Sequence, residues 1–114
     1  MRDDRERLLH ILDATERIAK YVAAGRERFD RDELVQTWII HHIQIIGEAA
    51  AKLSEDLRTR HPETPWSEII AMRNIVVHEY FEVDPDEIWV TATRDVPELK
   101  LSIVNILKTC NPTD

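Results

Sequence analysis

The chain has 114 residues, 43% apolar and 32% charged, with a formal net charge of −7 at neutral pH. That length supports one hydrophobic core and not two, and two glycines, Gly25 and Gly47, are too few for the turns of an all-β chain. One cysteine, Cys110, excludes an internal disulfide and fits a reducing, cytoplasmic setting, while the negative charge excludes nucleic-acid binding over a broad basic face, because phosphate affinity rests on neutralising cations.

In chain order, Met1-Arg-Asp-Asp-Arg-Glu-Arg7 lacks the apolar stretch of a secretion signal. Asp3 or Asp4 is expected to cap a first helix carrying Leu8, Ile11, Leu12, Ile18, Ala19 and Val22 at helical spacing, stopped by Gly25. Asp30-Arg-Asp-Glu33 has the form of a capping box opening a long second helix, with apolar residues from Leu34 to Leu57. Between Trp38 and Ile46 that helix is apolar on more than one face, so it is either central in a bundle or also packed on a second subunit. His41, His42 and Gln44 interrupt this stretch, which is too short to span a bilayer; no membrane partner is expected. Gly47 inside a helix costs about 1 kcal/mol against Ala, and a close helix crossing would explain it. Glu48 beside it either faces a site or caps a buried donor.

A polar loop over 58–64 leads to Thr64-Pro65, which reads as an N-cap and first helical residue for a third helix from about Pro65 to Val77. Asp84-Pro85-Asp-Glu87 repeats that pattern for a fourth helix, and Pro97 marks a kink or a new start near Asp95. A last helix carries Leu99 to Leu107. The prediction is a single all-α domain over 1–114, an up-and-down bundle of four to five helices.

The chemistry-bearing segment is Arg73-Asn-Ile-Val-Val-His78-Glu-Tyr80, which gathers a permanent cation, an amide, an imidazole and a phenol. At about 100° per residue, Arg73 and His78 lie about 140° apart on an unbroken helix. They converge only if the helix ends near Val77 or if another chain completes the site. Cleavage of RNA from the 2′-hydroxyl benefits from a base, an acid and a cation for the phosphorane charge. One motif offers one imidazole, whereas two motifs across a twofold axis offer two imidazoles and two guanidiniums. The plainer alternatives are an Arg73–His78 pair pinning a helix end, a half-buried aromatic at Tyr80, and an Asn74 that only orders Arg73. His41-His42 is a poor metal pair, since neighbours on a helix point about 100° apart. Trp38, Trp66 and Trp89 read as core or interface aromatics.

Arg-Asn-x3-His-x-Tyr resembles the Arg-x4-His-x-Tyr signature of the HepT-like HEPN ribonuclease toxins. Ile46-Gly47-Glu48-Ala-Ala50 with Lys52-Leu53-Ser54, Pro65-Trp66, the 83–89 stretch and Asp95-Val-Pro97-Glu-Leu99 are similar to that family as well. The resemblance implies a five-helix HEPN bundle, a homodimer with a composite cleft, and cleavage of RNA without a metal or other cofactor. It further implies a nucleotidyltransferase antitoxin of the MNT type, which silences the toxin by adenylylating the motif tyrosine. Matched by position, Arg73 and His78 are the catalytic pair, Asn74 and Glu48 support them, and Tyr80 is the modified residue. No DNA partner is expected. The alternative is a non-catalytic HEPN module that binds nucleotide or its partner transferase. Charge is unevenly placed for any RNA site: residues 1–31 hold eight Arg/Lys against seven Asp/Glu, whereas 79–98 hold seven acids against Arg94 alone. RNA would have to be gripped at a local cationic site.

Overall fold

The computed structural model describes residues 2–78 and 84–109, with the side chains of 3–73 and 84–109. Among these residues every regular element is helical: α1 (Arg2–Val22), α2 (Arg26–Arg31), α3 (Glu33–Ala51), α4 (Glu55–Arg60), α5 (Trp66–His78), α6 (Pro85–Val90), and α7 (Val96–Thr109), the last two joined by a π-helical turn over Thr91–Asp95. α3 packs between α1 and α5, and α1 packs in turn on α7. The all-α bundle expected from the sequence is the fold observed.

The core follows the helical spacing. Leu8, Ile11 and Ile18 of α1 meet Ile39, Ile43 and Ile46 of α3 and Ile103 and Ile106 of α7, all essentially inaccessible to solvent. Each such side chain contributes about 1.5–3 kcal/mol relative to exposure. This resolves the multi-sided apolarity of α3. Ile39, Ile43 and Ile46 serve the chain's own core, while Leu34 remains 80% exposed and Trp38 37% exposed on the outer face.

The helix boundaries differ from the sequence expectations at several points. The second helix does not open at Asp30. That residue pairs with Arg26 inside the short α2, and the cap of α3 is Asp32, whose carboxylate accepts from the Leu34 and Val35 backbone N–H groups. α2 is held by Phe29, buried against Trp89 at a ring separation of 5.2 Å, and Arg26 reaches Asp86 at the start of α6. The Arg28 guanidinium, and then the two capping N–H groups, hold the Asp32 carboxyl below its ordinary value. Its folded pKa is depressed, so the cap's contribution is present at neutral pH and is lost as acid protonates it.

The long second helix also ends earlier than expected, at Ala51, because Ser54 restarts the chain as α4. Ser54 Oγ accepts from the Leu57 N–H and donates to Asp4 Oδ2 at 2.6 Å, while the Ser54 N–H donates to Asp4 Oδ1 at 2.8 Å. Asp4 is therefore not the cap of α1. It lies in that helix's first turn, buried, and ties the start of α1 to the start of α4. Replacing Asp4 by Ala is expected to lower stability by about 1–3 kcal/mol, because the part-buried Ser54 N–H and hydroxyl lose their acceptor. Urea unfolding should show this as a lower midpoint at unchanged slope.

α5 begins one residue later than expected. Pro65 stands at the cap, its carbonyl accepting from the Ile69 N–H, and the buried Thr64 hydroxyl has no partner. Trp66 fixes this end of α5 by donating its indole N–H to the His61 carbonyl at 3.0 Å. Asp84 caps α6 as expected. Pro97 does not break the chain: the π-helical turn before it carries the Val96 N–H to the Thr91 carbonyl, and Pro97 then occupies the second position of α7.

Candidate functional site

α5 continues as helix through His78. The backbone positions of Arg73 and His78 are thus five helical residues apart, about 140° around the axis and about 7.5 Å along it. Of the residues singled out from the sequence, Arg73 and Glu48 are described to their side-chain atoms. The side chains of Asn74 and His78, and Tyr80 entirely, lie outside the described residues.

Arg73 sits where α3 and α5 cross. A Cβ built on Gly47 would stand 2.8 Å from Arg73 Cβ and 2.9 Å from its backbone nitrogen, closer than real Cβ atoms come. Only hydrogen fits there, so the glycine within α3 is the condition for the close crossing, as its cost to the helix suggested. The next residue, Glu48, places Oε1 3.5 Å from Arg73 Nη1. Glu48 is exposed and Arg73 about one-third exposed, and ion pairs in such settings contribute at most about 1 kcal/mol. The pair sets the Glu48 carboxylate beside the Arg73 guanidinium at the border of a cleft.

Arg73 and Glu48 border a cleft of about 430 Å³ whose other polar walls are Arg7 and His10 of α1, His41 and Gln44 of α3, and Lys52 at the C-cap of α3. Arg7, His10 and Lys52 were not legible as site residues. Lys52 had one available signal, since it follows Glu48 by four residues on the same face of α3. Arg7 and His10 are far away in sequence and reach the cleft only because α1 packs along α3.

The adjacent histidines separate as their spacing requires. His42 is buried, its Nδ1 2.8 Å from the Trp38 carbonyl and its ring 4.4 Å from the Trp38 ring, whereas His41 is exposed at the cleft. Among the described residues no three His, Cys, Asp or Glu side chains gather in a metal-binding group, and no helix is long and apolar enough to cross a membrane.

A second, larger cavity of about 660 Å³ lies between the start of α5 and the α6–α7 segment. Among the described residues seven carboxylates line it, from Glu63 to Glu98, and no lysine or arginine does. Such a surface repels phosphate. Among the described residues the smaller cleft carries three permanent cations, Arg7, Lys52 and Arg73, against Glu48, a balance that favours an anion.

The family model for "Ribonuclease HepT-like" proteins matches residues 11–106. A protein of Caldanaerobacter subterraneus subsp. tengcongensis named "Putative RNase" is 35% identical over 109 residues, covering 95% of this chain and 97% of its own. A protein of Thermococcus cleftensis named "Probable ribonuclease HepT" is 40% identical over 74 residues, 65% of this chain and 67% of its own. One of Methanocaldococcus jannaschii, also named "Putative RNase", is 34% identical over 82 residues, 72% of this chain and 71% of its own. No solved structure matches the chain.

Proposed function

Because the chain belongs to the HepT-like ribonuclease family, we propose that it cleaves RNA without a metal ion, as the homodimeric toxin of a toxin–antitoxin pair. The observation that carries this reading is Arg73, fixed over Gly47, oriented by Glu48 and bordering a cleft of net positive charge in a chain of net charge −7. In the proposed reaction the His78 imidazole takes the proton of a ribose 2′-hydroxyl, whose oxygen attacks the adjacent phosphorus. The Arg73 guanidinium stabilises the charge of the phosphorane. A second imidazole returns a proton to the departing 5′-oxygen, leaving a 2′,3′-cyclic phosphate.

The need for that second imidazole supports a dimer, and so does the helical backbone through His78, which sets Arg73 and His78 apart on one chain. The exposed Leu34 and Trp38 on the outer face of α3 supply apolar surface for the subunit contact. Purified protein incubated with RNA in excess EDTA is expected to yield cyclic-phosphate ends. Intact RNA under those conditions, with cleavage restored by a divalent cation, would return the reaction to metal chemistry.

Regulation in this reading is by an MNT-type nucleotidyltransferase that attaches AMP to Tyr80. Tyr80 follows His78 by two positions, so the added phosphodiester would stand where it competes for the Arg73 guanidinium and fills the cleft. Tyr80→Phe is expected to remain an active ribonuclease that the partner and ATP no longer silence. Mass spectrometry of the co-expressed wild type should show an AMP-sized increment on the peptide containing Tyr80. An unmodified Tyr80 in a fully silenced complex would refute this mode of control.

A further inference from the structure

We infer that the cleft beside Arg73 is an RNA-backbone subsite in which Arg7 and Lys52 each neutralise a phosphate flanking the one held at Arg73. The inference rests on the ribonuclease reading and adds to it the residues that grip the substrate. Among the described residues three permanent cations converge on the cleft: Arg7 from α1, Lys52 from the C-cap of α3 and Arg73 from α5. Glu48 is the one carboxylate among the described residues that lines it, and that carboxylate already stands 3.5 Å from the Arg73 guanidinium. Among the described residues neither Arg7 nor Lys52 has an acidic partner within ion-pair distance, although most arginines of α1, α2 and α4 that form ion pairs do so with an acid four residues away. Nothing among the described residues competes with an external anion for these two charges.

Their placement fits a strand and not a single small ion. Lys52, the C-cap of α3, follows Glu48 by about one helical turn, about 6 Å along the axis, and Arg7 approaches from the helix on the other side of α3 from α5. The cations thus lie along a path across α3. His10, His41 and Gln44, which share the cleft, add ring and amide groups that can hydrogen-bond phosphate or sugar oxygens without adding permanent charge. The path also answers the electrostatic difficulty of the sequence. A chain this acidic cannot hold RNA broadly, but a cleft of three cations against one carboxylate can hold a short stretch while the seven-carboxylate cavity repels the rest.

The test uses a fluorescent single-stranded RNA in two assays. Binding is read by anisotropy across a salt series in the His78→Ala background, and cleavage is read in the otherwise wild-type protein. For single strands each neutralised phosphate contributes about 0.7 to the slope of log affinity against log salt, so the double variant Arg7→Gln, Lys52→Gln should flatten that slope by about 1.4. In the cleavage assay the same variant should raise KM roughly tenfold at low salt, with kcat within about twofold. Arg7→Lys should retain the slope, since it keeps the charge. An unchanged slope and KM in a protein that cleaves RNA would overturn the subsite and leave the ribonuclease reading standing. Salt-dependent binding that the double variant flattens, in a protein that never cleaves, would do the reverse. A flattened slope accompanied by dissociation of the dimer would also overturn the subsite, assigning the two cations to a subunit contact.

Discussion

Replacing His78 by Ala is expected to lower RNA cleavage by at least about 10²–10⁴-fold, the usual cost of removing a general acid or base. The loss should be larger if one imidazole type serves as both base and acid across a twofold axis, because the substitution then removes both roles at once. Cells expressing the variant without a nucleotidyltransferase partner should grow and keep their RNA intact, whereas wild type should arrest growth. Helical content and melting temperature should stay nearly unchanged, as expected of a group whose role is chemical. Undiminished cleavage by pure variant protein would remove His78 from the mechanism. Loss of cleavage together with loss of the fold would instead make it a structural residue.

Gly47→Ala is the second substitution with a large expected effect, and two opposing terms decide its sign. Alanine in a helix interior is favoured over glycine by about 1 kcal/mol. Against this, the new methyl would press on the Cβ and backbone nitrogen of Arg73, atoms that can retreat only if α5 moves away from α3. Overpacking of this kind costs about 1–3 kcal/mol, so the net effect is destabilising, with a melting temperature lower by several degrees. The catalytic loss should exceed the loss of stability. A displacement near 1 Å of a group that must meet the reacting phosphate costs on the order of 10²-fold. Kinetics well below the melting transition should therefore show a nearly inactive but folded protein, and Gly47→Val a still less stable one. A Gly47→Ala protein of wild-type activity and higher stability would contradict the close crossing as the device that seats Arg73.

Helical spacing made the main body of the fold legible. The positions that repeat at three and four residues in α1 and α7 are the ones that meet in the core, and Gly25, with φ of 93°, ends the turn after α1 as a glycine should. The boundaries were less legible because several side chains could cap a helix, and tertiary partners chose among them. Asp30 and Asp32 both suit a cap; Arg26 takes the first and leaves the second to α3. Asp4 suits the cap of α1, yet Ser54 lies across the bundle and takes it. α2 escaped notice because six residues give no helical repeat, and only the burial of Phe29 against Trp89 stabilises them there. At the site, Gly47 was readable as a crossing point from its cost alone. Arg7 and His10 were not, because nothing local distinguishes them from the other polar residues on α1. Their place beside Lys52 and Arg73 exists only after α1, α3 and α5 have packed.

The central claim is that RNA is cleaved at a site drawing Arg73 from one chain and His78 from its partner. Complementation tests it most directly: Arg73→Ala and His78→Ala proteins are purified, mixed in equal amounts, exchanged into mixed dimers and assayed for RNA cleavage in EDTA. If subunits assort at random, half the dimers are mixed, and each keeps one Arg73–His78 pair drawn from the two chains but only one His78 imidazole, so the mixture should rise clearly above either variant while staying below a quarter of wild-type activity. Each variant alone should remain near background. A mixture as inactive as its two components, under conditions where exchange is demonstrated, would contradict the account and place both groups of each site on a single chain.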